Sequence, residues 1–160
     1  MPSPRPPGLD KPWVPGVIHA MSRVNTWIYQ RTGGLLGSRW YLGGTLGKGG
    51  LPLCILTTRG RRSGQWRATP LLHLRDGNSL VVVGSQGGLP TNPQWVRNLE
   101  VDPQCEVQIG RDRQSYRARF AGGAERARLW PMLVAYYPDF ESYASWTDRT
   151  IPIVILERAP

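Results

Sequence analysis

Between the apolar runs Leu53-Cys54-Ile55-Leu56 and Leu71-Leu72-His73-Leu74 the chain reads T-T-R-G-R-R-S-G-Q-W-R-A-T-P, from Thr57 to Pro70. A polar, glycine-punctuated stretch between two short apolar runs is a hairpin: two strands and a turn. It commits the middle of the chain to antiparallel β-structure. The turn would gather Arg59, Arg61, Arg62 and Arg67 around Gly60, Ser63 and Gly64. Backbone N–H groups freed by glycines can point at an anion, and guanidinium groups grip its oxygens in pairs. That chemistry suits a phosphate or a polycarboxylate. The same residues also suit a solvated hairpin tip, so both readings stand at this point.

The flanking sequence extends the pattern. Residues 1–14 are proline-rich and read as a flexible tail or extended arm. From Pro15 to Arg31, Val17, Met21, Val24 and Ile28 recur at helical spacing with Trp27 beside them, and Gly33 and Gly34 stop the helix. Such a stripe packs either on a core or on a membrane surface. A glycine-rich connection follows to Gly50, and residues 51–160 form the main domain. There, Asp76-Gly77 marks a tight turn and Leu80 to Val83 a buried strand. A second glycine-rich turn, Gly84-Ser85-Gln86-Gly87-Gly88, comes next. Asn92 caps a short helix through Leu99, with Pro93 in its first turn. A hairpin over Glu106–Gly110 and Gln114–Phe120, a helix over Ala124–Tyr136 and a strand over Ile153–Leu156 complete it. Five or six short antiparallel strands with few helices imply a mainly β, α+β fold, a small barrel.

The net charge of +9, from 20 basic and 11 acidic residues, favours an anionic partner. All the basic residues but Lys11 and Lys48 are arginine, the better residue for forked contacts. Cys54 and Cys105 lie in apolar surroundings and read as reduced, intracellular core residues. With His19 and His73 isolated, no metal-ligand spacing exists. No signal peptide or bilayer-long apolar run is visible, so the expected location is cytoplasmic, at most peripheral to the membrane. No nucleophile–base pair or paired carboxylate stands out. Two anion-suited turns and a late aromatic cluster (Trp130, Tyr136, Tyr137, Phe140, Tyr143, Trp146) instead suit a cofactor that carries the reaction chemistry itself.

The segments LTTRGRRSGQWRATPLLHLRDGNSLVVVGSQGGLPTNPQWVRNLEVDP and WPMLVAYYPDFESYASWTDRTIPIVILE resemble the deazaflavin-dependent nitroreductase family, whose members use coenzyme F420 on a split, FMN-binding-like β-barrel. The resemblance implies a deazaflavin-binding domain over 51–160 and an F420-dependent reductase acting on a quinone, or on nitro or enone compounds. It implies a phosphate-and-tail site at Arg61, Arg62, Ser63, Gly64, Gln65, Trp66 and Arg67. Ile55, Leu56 and Thr57 would line the ring, as would Leu71, Leu72 and His73. Val82, Val83, Gly84, Ser85 and Gln86 would run past the ring and ribityl chain, and Gln94, Trp95, Val96, Arg97 and Asn98 would close over it. Tyr137 and Ser85 take the catalytic roles, proton donor and hydrogen-bond donor to substrate; Leu72, Phe140 and Tyr143 face the substrate.

Three positions depart from that family's pattern. Gln86 stands where a lysine is familiar, and Leu72 and Phe140 replace tyrosines, leaving a more apolar substrate pocket. A flavin mononucleotide in the same barrel, or an anionic-lipid or nucleic-acid module without catalysis, are the alternatives. The basic residues are scattered over the turns and hairpins, which argues against nucleic acid. A homodimer is compatible with such a barrel.

Overall fold

The computed structural model describes residues 2–9, 11–40 and 50–160, so the glycine-rich connection falls partly outside the described residues, at 41–49. Eight antiparallel strands form one sheet: β1 (Arg39–Trp40), β2 (Leu51–Arg59), β3 (Trp66–Leu72), β4 (Leu74–Asp76), β5 (Ser79–Val83), β6 (Gln104–Ile109), β7 (Asp112–Phe120) and β8 (Ile153–Arg158). Among the described residues the helices are α1 (Val14–Thr32), α2 (Gln94–Val101), α3 (Gly123–Tyr136) and α4 (Asp139–Ser145), with a 3-10 turn over Gln86–Gly88.

The sheet runs β2-β6-β7-β8-β5-β4, with β3 pairing β2 along Leu53–Arg59 and the short β1 pairing the start of β2 at Leu51 and Pro52. His73 alone separates β3 from β4, the two strands at opposite ends of that order. One residue spans only a few ångströms. The sheet therefore curls until its ends meet, giving the split barrel.

Side-chain alternation then explains the continuous apolar runs. In β2, β5 and β8 the even-numbered residues Cys54, Leu56, Leu80, Val82, Val154 and Leu156 fill the barrel interior, joined by Trp95, Val96 and Leu99 of α2. The odd-numbered Val81, Val83, Ile153 and Ile155 face outward beneath Leu129 and Leu133 of α3 and Tyr137 and Phe140. Leu53 and Ile55 face Tyr29 of α1. Strands covered on both faces read as unbroken apolar stretches rather than as alternation.

Several expectations need correction. The apolar stripe of α1 does not enter the core: Val17, Met21, Val24 and Trp27 are exposed. The helix docks by its other side, where the Tyr29 hydroxyl donates to the Leu53 carbonyl at 3.2 Å and accepts from the Gly110 N–H at 2.7 Å. One phenol with two backbone partners replaces a hydrophobic seam. Asn92 does not cap α2; its Oδ1 accepts from Arg149 Nη1 at 2.8 Å, and Pro93 occupies the cap position. α2 also continues to Val101, two residues past the expected end. The separate helix α4 has no counterpart in the sequence expectation, because Asp139, Phe140, Ser142 and Tyr143 carry weak helix propensity just after Pro138. In the proline-rich arm the Ser3 N–H donates to Ser142 Oγ at 2.8 Å and its carbonyl accepts from Trp146 Nε1 at 2.8 Å.

Candidate functional site

The β2–β3 turn is closed by its own backbone. Gly60 N–H donates to the Gln65 carbonyl at 2.8 Å, and Gly64 N–H to the Gly60 carbonyl at 2.7 Å. Gly64 needs its left-handed φ of +69°, and a Cβ there would meet nothing nearer than Arg59 Nε at 4.0 Å. Space above the turn is open. Ser63 Oγ accepts from the Gln65 N–H at 3.2 Å, and Arg67 Nη2 donates to Gln65 Oε1 at 3.2 Å. Arg61 is tied down instead: its N–H and its Nη1 both donate to Asn98 Oδ1, at 3.2 and 3.0 Å. Asn98 in turn donates from Nδ2 to Thr58 Oγ1 at 3.1 Å. A buried amide thus fixes the turn to α2, while Arg59, Arg62 and Arg67 stay exposed.

The second glycine-rich turn is built differently. Gln86, Gly87 and Gly88 take left-handed φ values of +45°, +61° and +76° in succession. Gly84 is wedged: a Cβ there would lie 2.7 Å from Pro152 Cγ and 2.8 Å from Val96 Cγ2. Its N–H donates to the Pro152 carbonyl at 2.9 Å. Arg149 then spans the loop, donating to the carbonyls of Gly84 (3.1 Å), Ser85 (2.7 Å) and Leu89 (2.8 Å) and to Asn92 Oδ1 (2.8 Å). Ser85 lies buried here at 9% exposure.

The aromatic wall adjoins this loop. The Tyr137 and Tyr143 hydroxyls are 3.2 Å apart, and burial raises the pKa of Tyr143 above the usual phenol value. Phe140 packs edge-on against Tyr137 with ring centres 5.0 Å apart and is 4% exposed, so its ring belongs to the outer core. Tyr143 backs onto the 3-10 turn, its carbonyl 2.8 Å from where a Gly88 Cβ would stand.

Around α2 the fold therefore brings together the arginine turn, through Asn98, and the Ser85 loop, through Val96. Within α2, Trp95, Val96 and Asn98 are buried, Arg97 is half-buried and Gln94 is exposed. Leu71 and Leu72 are half-buried, the first against the barrel core and the second against the outer one. Ile55 and Leu56 are fully buried on opposite faces of β2, as are Val82 and Val83 of β5 on theirs, so no single surface takes all four side chains. His73 is buried with no partner at Nδ1, and burial pushes its pKa down to about 4. A cleft of about 720 Å³ beside the hairpin, over β6 and β7, shares only Thr57 and Trp66 with the expected cofactor residues. Its other walls include Glu106, paired with Arg113 at 3.1 Å, so the open space there is not that of the Ser85 and Tyr137 region. Sequence reasoning missed Arg149, a lone arginine in Thr147-Asp148-Arg149 whose partners lie some sixty positions away.

The family model described as F420H(2)-dependent quinone reductase matches residues 21–158. A Mycobacterium tuberculosis (strain ATCC 25618 / H37Rv) protein provisionally named an F420H(2)-dependent quinone reductase is 48% identical over 106 residues, covering 66% of this chain and 89% of its own. A second protein of that strain, named an F420H(2)-dependent quinone reductase, is 33% identical over 139 residues, covering 85% of this chain and 89% of its own. Among solved structures, an F420-H2 dependent reductase (FDR-A) aligns with a TM-score of 0.62 at 36% identity, over 66% of this chain and 94% of that one. A structure described as a domain-swapped dimer aligns with a TM-score of 0.62 at 34% identity, over 82% of this chain and 97% of that one.

Proposed function

The chain belongs to the F420H(2)-dependent quinone reductase family, and we propose that it reduces a quinone by hydride transfer at the site assembled around α2. It is an oxidoreductase, and its cofactor is coenzyme F420, an 8-hydroxy-5-deazaflavin. The observation that carries the site assignment is the arginine turn fastened to α2 through Asn98, beside the Ser85 loop.

The residues present fit the cofactor. Arg62 and Arg67 are exposed beside a turn with open space over Gly64, a donor set for a phosphate and an acidic tail. His73 Nδ1 is a buried polar atom still lacking a partner, within the segment expected near the ring. Bound there, the reduced deazaflavin supplies a hydride. Arg61, Arg62, Ser63 and Arg67 bind and orient the charged end, with Arg61 held in place by Asn98. Trp95 and Val96 exclude water from the barrel side. Burial raises the pKa of Tyr143 and keeps its phenol protonated 3.2 Å from the Tyr137 hydroxyl, and Tyr137 is the proton donor to the reduced acceptor. Ser85 offers its hydroxyl to an acceptor oxygen.

Leu72 and the enclosed Phe140 offer the acceptor no hydroxyl, which favours a quinone over nitro compounds. A turnover on bulky nitroimidazoles equal to that of the Leu72→Tyr/Phe140→Tyr variant would sink that preference. No helix among the described residues is long and apolar enough to cross a membrane. The exposed Val17, Met21, Val24 and Trp27, with Arg31 stacked on Trp27 at 5.7 Å, support a peripheral contact with anionic lipid that would give access to a lipid-soluble quinone. Flotation with anionic vesicles should fall when Val17, Met21 and Val24 are changed to serine, substitutions that leave the docking residue Tyr29 in place. The relative described as a domain-swapped dimer supports a homodimer, to be read from mass in solution. Fluorescence titration with oxidised F420, in parallel with flavin mononucleotide, tests the reading as a whole: saturable binding of the first alone supports it, and binding of neither overturns it.

A further inference from the structure

The Arg149 side chain reaches four acceptors of a single loop. Its Nε donates to Leu89, its Nη1 to Gly84 and to Asn92 Oδ1, and its Nη2 to Ser85, all between 2.7 and 3.1 Å. Three of these are backbone carbonyls in a stretch that no strand or long helix organises. No carboxylate pairs with this half-buried guanidinium among the described ion pairs, and its pKa is lowered by desolvation. A partly desolvated cation without a counter-charge is costly to hold unless its hydrogen bonds are made well. Here they are made to the loop that carries Ser85.

What the clamp opposes is visible in the same loop. Gln86 adopts a φ of +45°, a left-handed conformation rare for a residue with a side chain, and Gly87 and Gly88 follow at +61° and +76°. Left to local preference the loop would relax. The far side of Arg149 is anchored: Ile151 is fully buried, and Pro152 both accepts from the Gly84 N–H and packs against Gly84. Residues 149–152 thus grip Gly84 from its N–H and its carbonyl together. The loop feeds directly into α2, whose Val96 also abuts Gly84 and whose Asn98 holds the arginine turn.

We propose that Arg149 is the positioning residue of the site, fixing the Gly84–Asn92 backbone so that Ser85 and α2 take the places from which they receive coenzyme F420. This rests on the reading that the Ser85 loop and α2 border the cofactor. Arg149 touches neither cofactor nor acceptor; it acts through the carbonyls it holds. A lysine is no substitute, since one ammonium with three donors cannot reproduce a planar fork that serves four acceptors.

The test is F420 binding by fluorescence titration on the folded full chain, wild type against Arg149→Ala and Arg149→Lys, together with amide hydrogen exchange at residues 84–92. We expect wild type to bind and Arg149→Ala to lose at least about tenfold in affinity, about 1.4 kcal/mol. Exchange should accelerate in the loop, while the amides of β5 and β8 stay protected. Millimolar guanidinium should restore affinity to Arg149→Ala, and equimolar sodium chloride or urea should not. Arg149→Lys should stay impaired. Wild-type binding with unchanged affinity in Arg149→Ala, or affinity that guanidinium fails to restore beyond the salt control, overturns the positioning role even if the melting temperature falls. A folded wild type that does not bind F420 overturns the functional reading itself and takes the loop's role with it.

Discussion

The two glycine-rich turns, Gly60–Gln65 and Gly84–Gly88, have similar composition and each follows an apolar strand, yet arginine serves them in opposite ways. In the first, Arg61 and Arg62 belong to the turn and Arg67 follows it in β3, and Arg62 and Arg67 are exposed to solvent. Backbone bonds between Gly60 and Gln65 and between Gly64 and Gly60 close it locally. In the second, the arginine comes from elsewhere, is half-buried and points inward at the loop's carbonyls. A turn that closes itself can spend its cations on a ligand. A turn that cannot must borrow a donor set from a distant segment.

That contrast can be broken most severely at the glycines. Gly84→Val should destabilise the protein by about 3 kcal/mol, because its Cβ would be forced against Pro152 and Val96 inside a packed corner. Gly64→Ala, with open space but a φ of +69°, should lose only about 1 kcal/mol. Urea denaturation of both decides it, and equal losses would mean that the turns are supported alike.

The next largest effect lies at His73, where the hairpin carrying the first turn meets β4. The folded imidazole is held neutral, its pKa at about 4 against 6.5 when exposed. Between those values the unfolded chain binds a proton that the folded one does not. Stability attributable to His73 is therefore complete above pH 6.5, falls as the pH drops toward 4, and levels below. The full change is about 3 kcal/mol. Replacing His73 by Phe should remove that slope from denaturation midpoints measured between pH 7 and 4.5; a variant with the wild-type slope would refute the assignment.

Smaller effects sharpen the functional half of the comparison. Arg62→Gln and Arg67→Gln should each weaken F420 binding by about tenfold, as expected of one charge-assisted contact. Thermal stability should hardly move, because both side chains are exposed. A melting temperature that falls in step with affinity would mark these arginines as structural. Smallest is Ser63→Ala, which removes the acceptor of the Gln65 N–H and should cost about 0.5–1 kcal/mol in denaturation, the hydroxyl being at the surface.

The features legible in the sequence are local ones. The hairpin over Leu51–Leu72, the buried run of β5 and the arginine turn follow from alternation, turn residues and charge that neighbours supply. The outward face of α1 was not legible, since a periodic apolar stripe looks the same whether it meets a core, a lipid surface or water; Tyr29, one residue past the stripe, decided which side docks. Asn92 has the residue type of a helix cap, but a longer-range partner outbid the local one. Phe140 reads as a pocket residue, and only packing against Tyr137 and Tyr143 shows its ring enclosed.

By itself, then, the sequence determined most of the strands and the main turns, because those depend on interactions within a dozen residues; of the eight strands it anticipated five or six. The tertiary structure decided that β3 and β4 close the barrel at His73, that Asn98 binds the arginine turn to α2, and that Arg149 holds the Ser85 loop. Each of these depends on two segments far apart in the chain meeting at hydrogen-bond distance. No local pattern encodes that distance; it exists only once the sheet has curled.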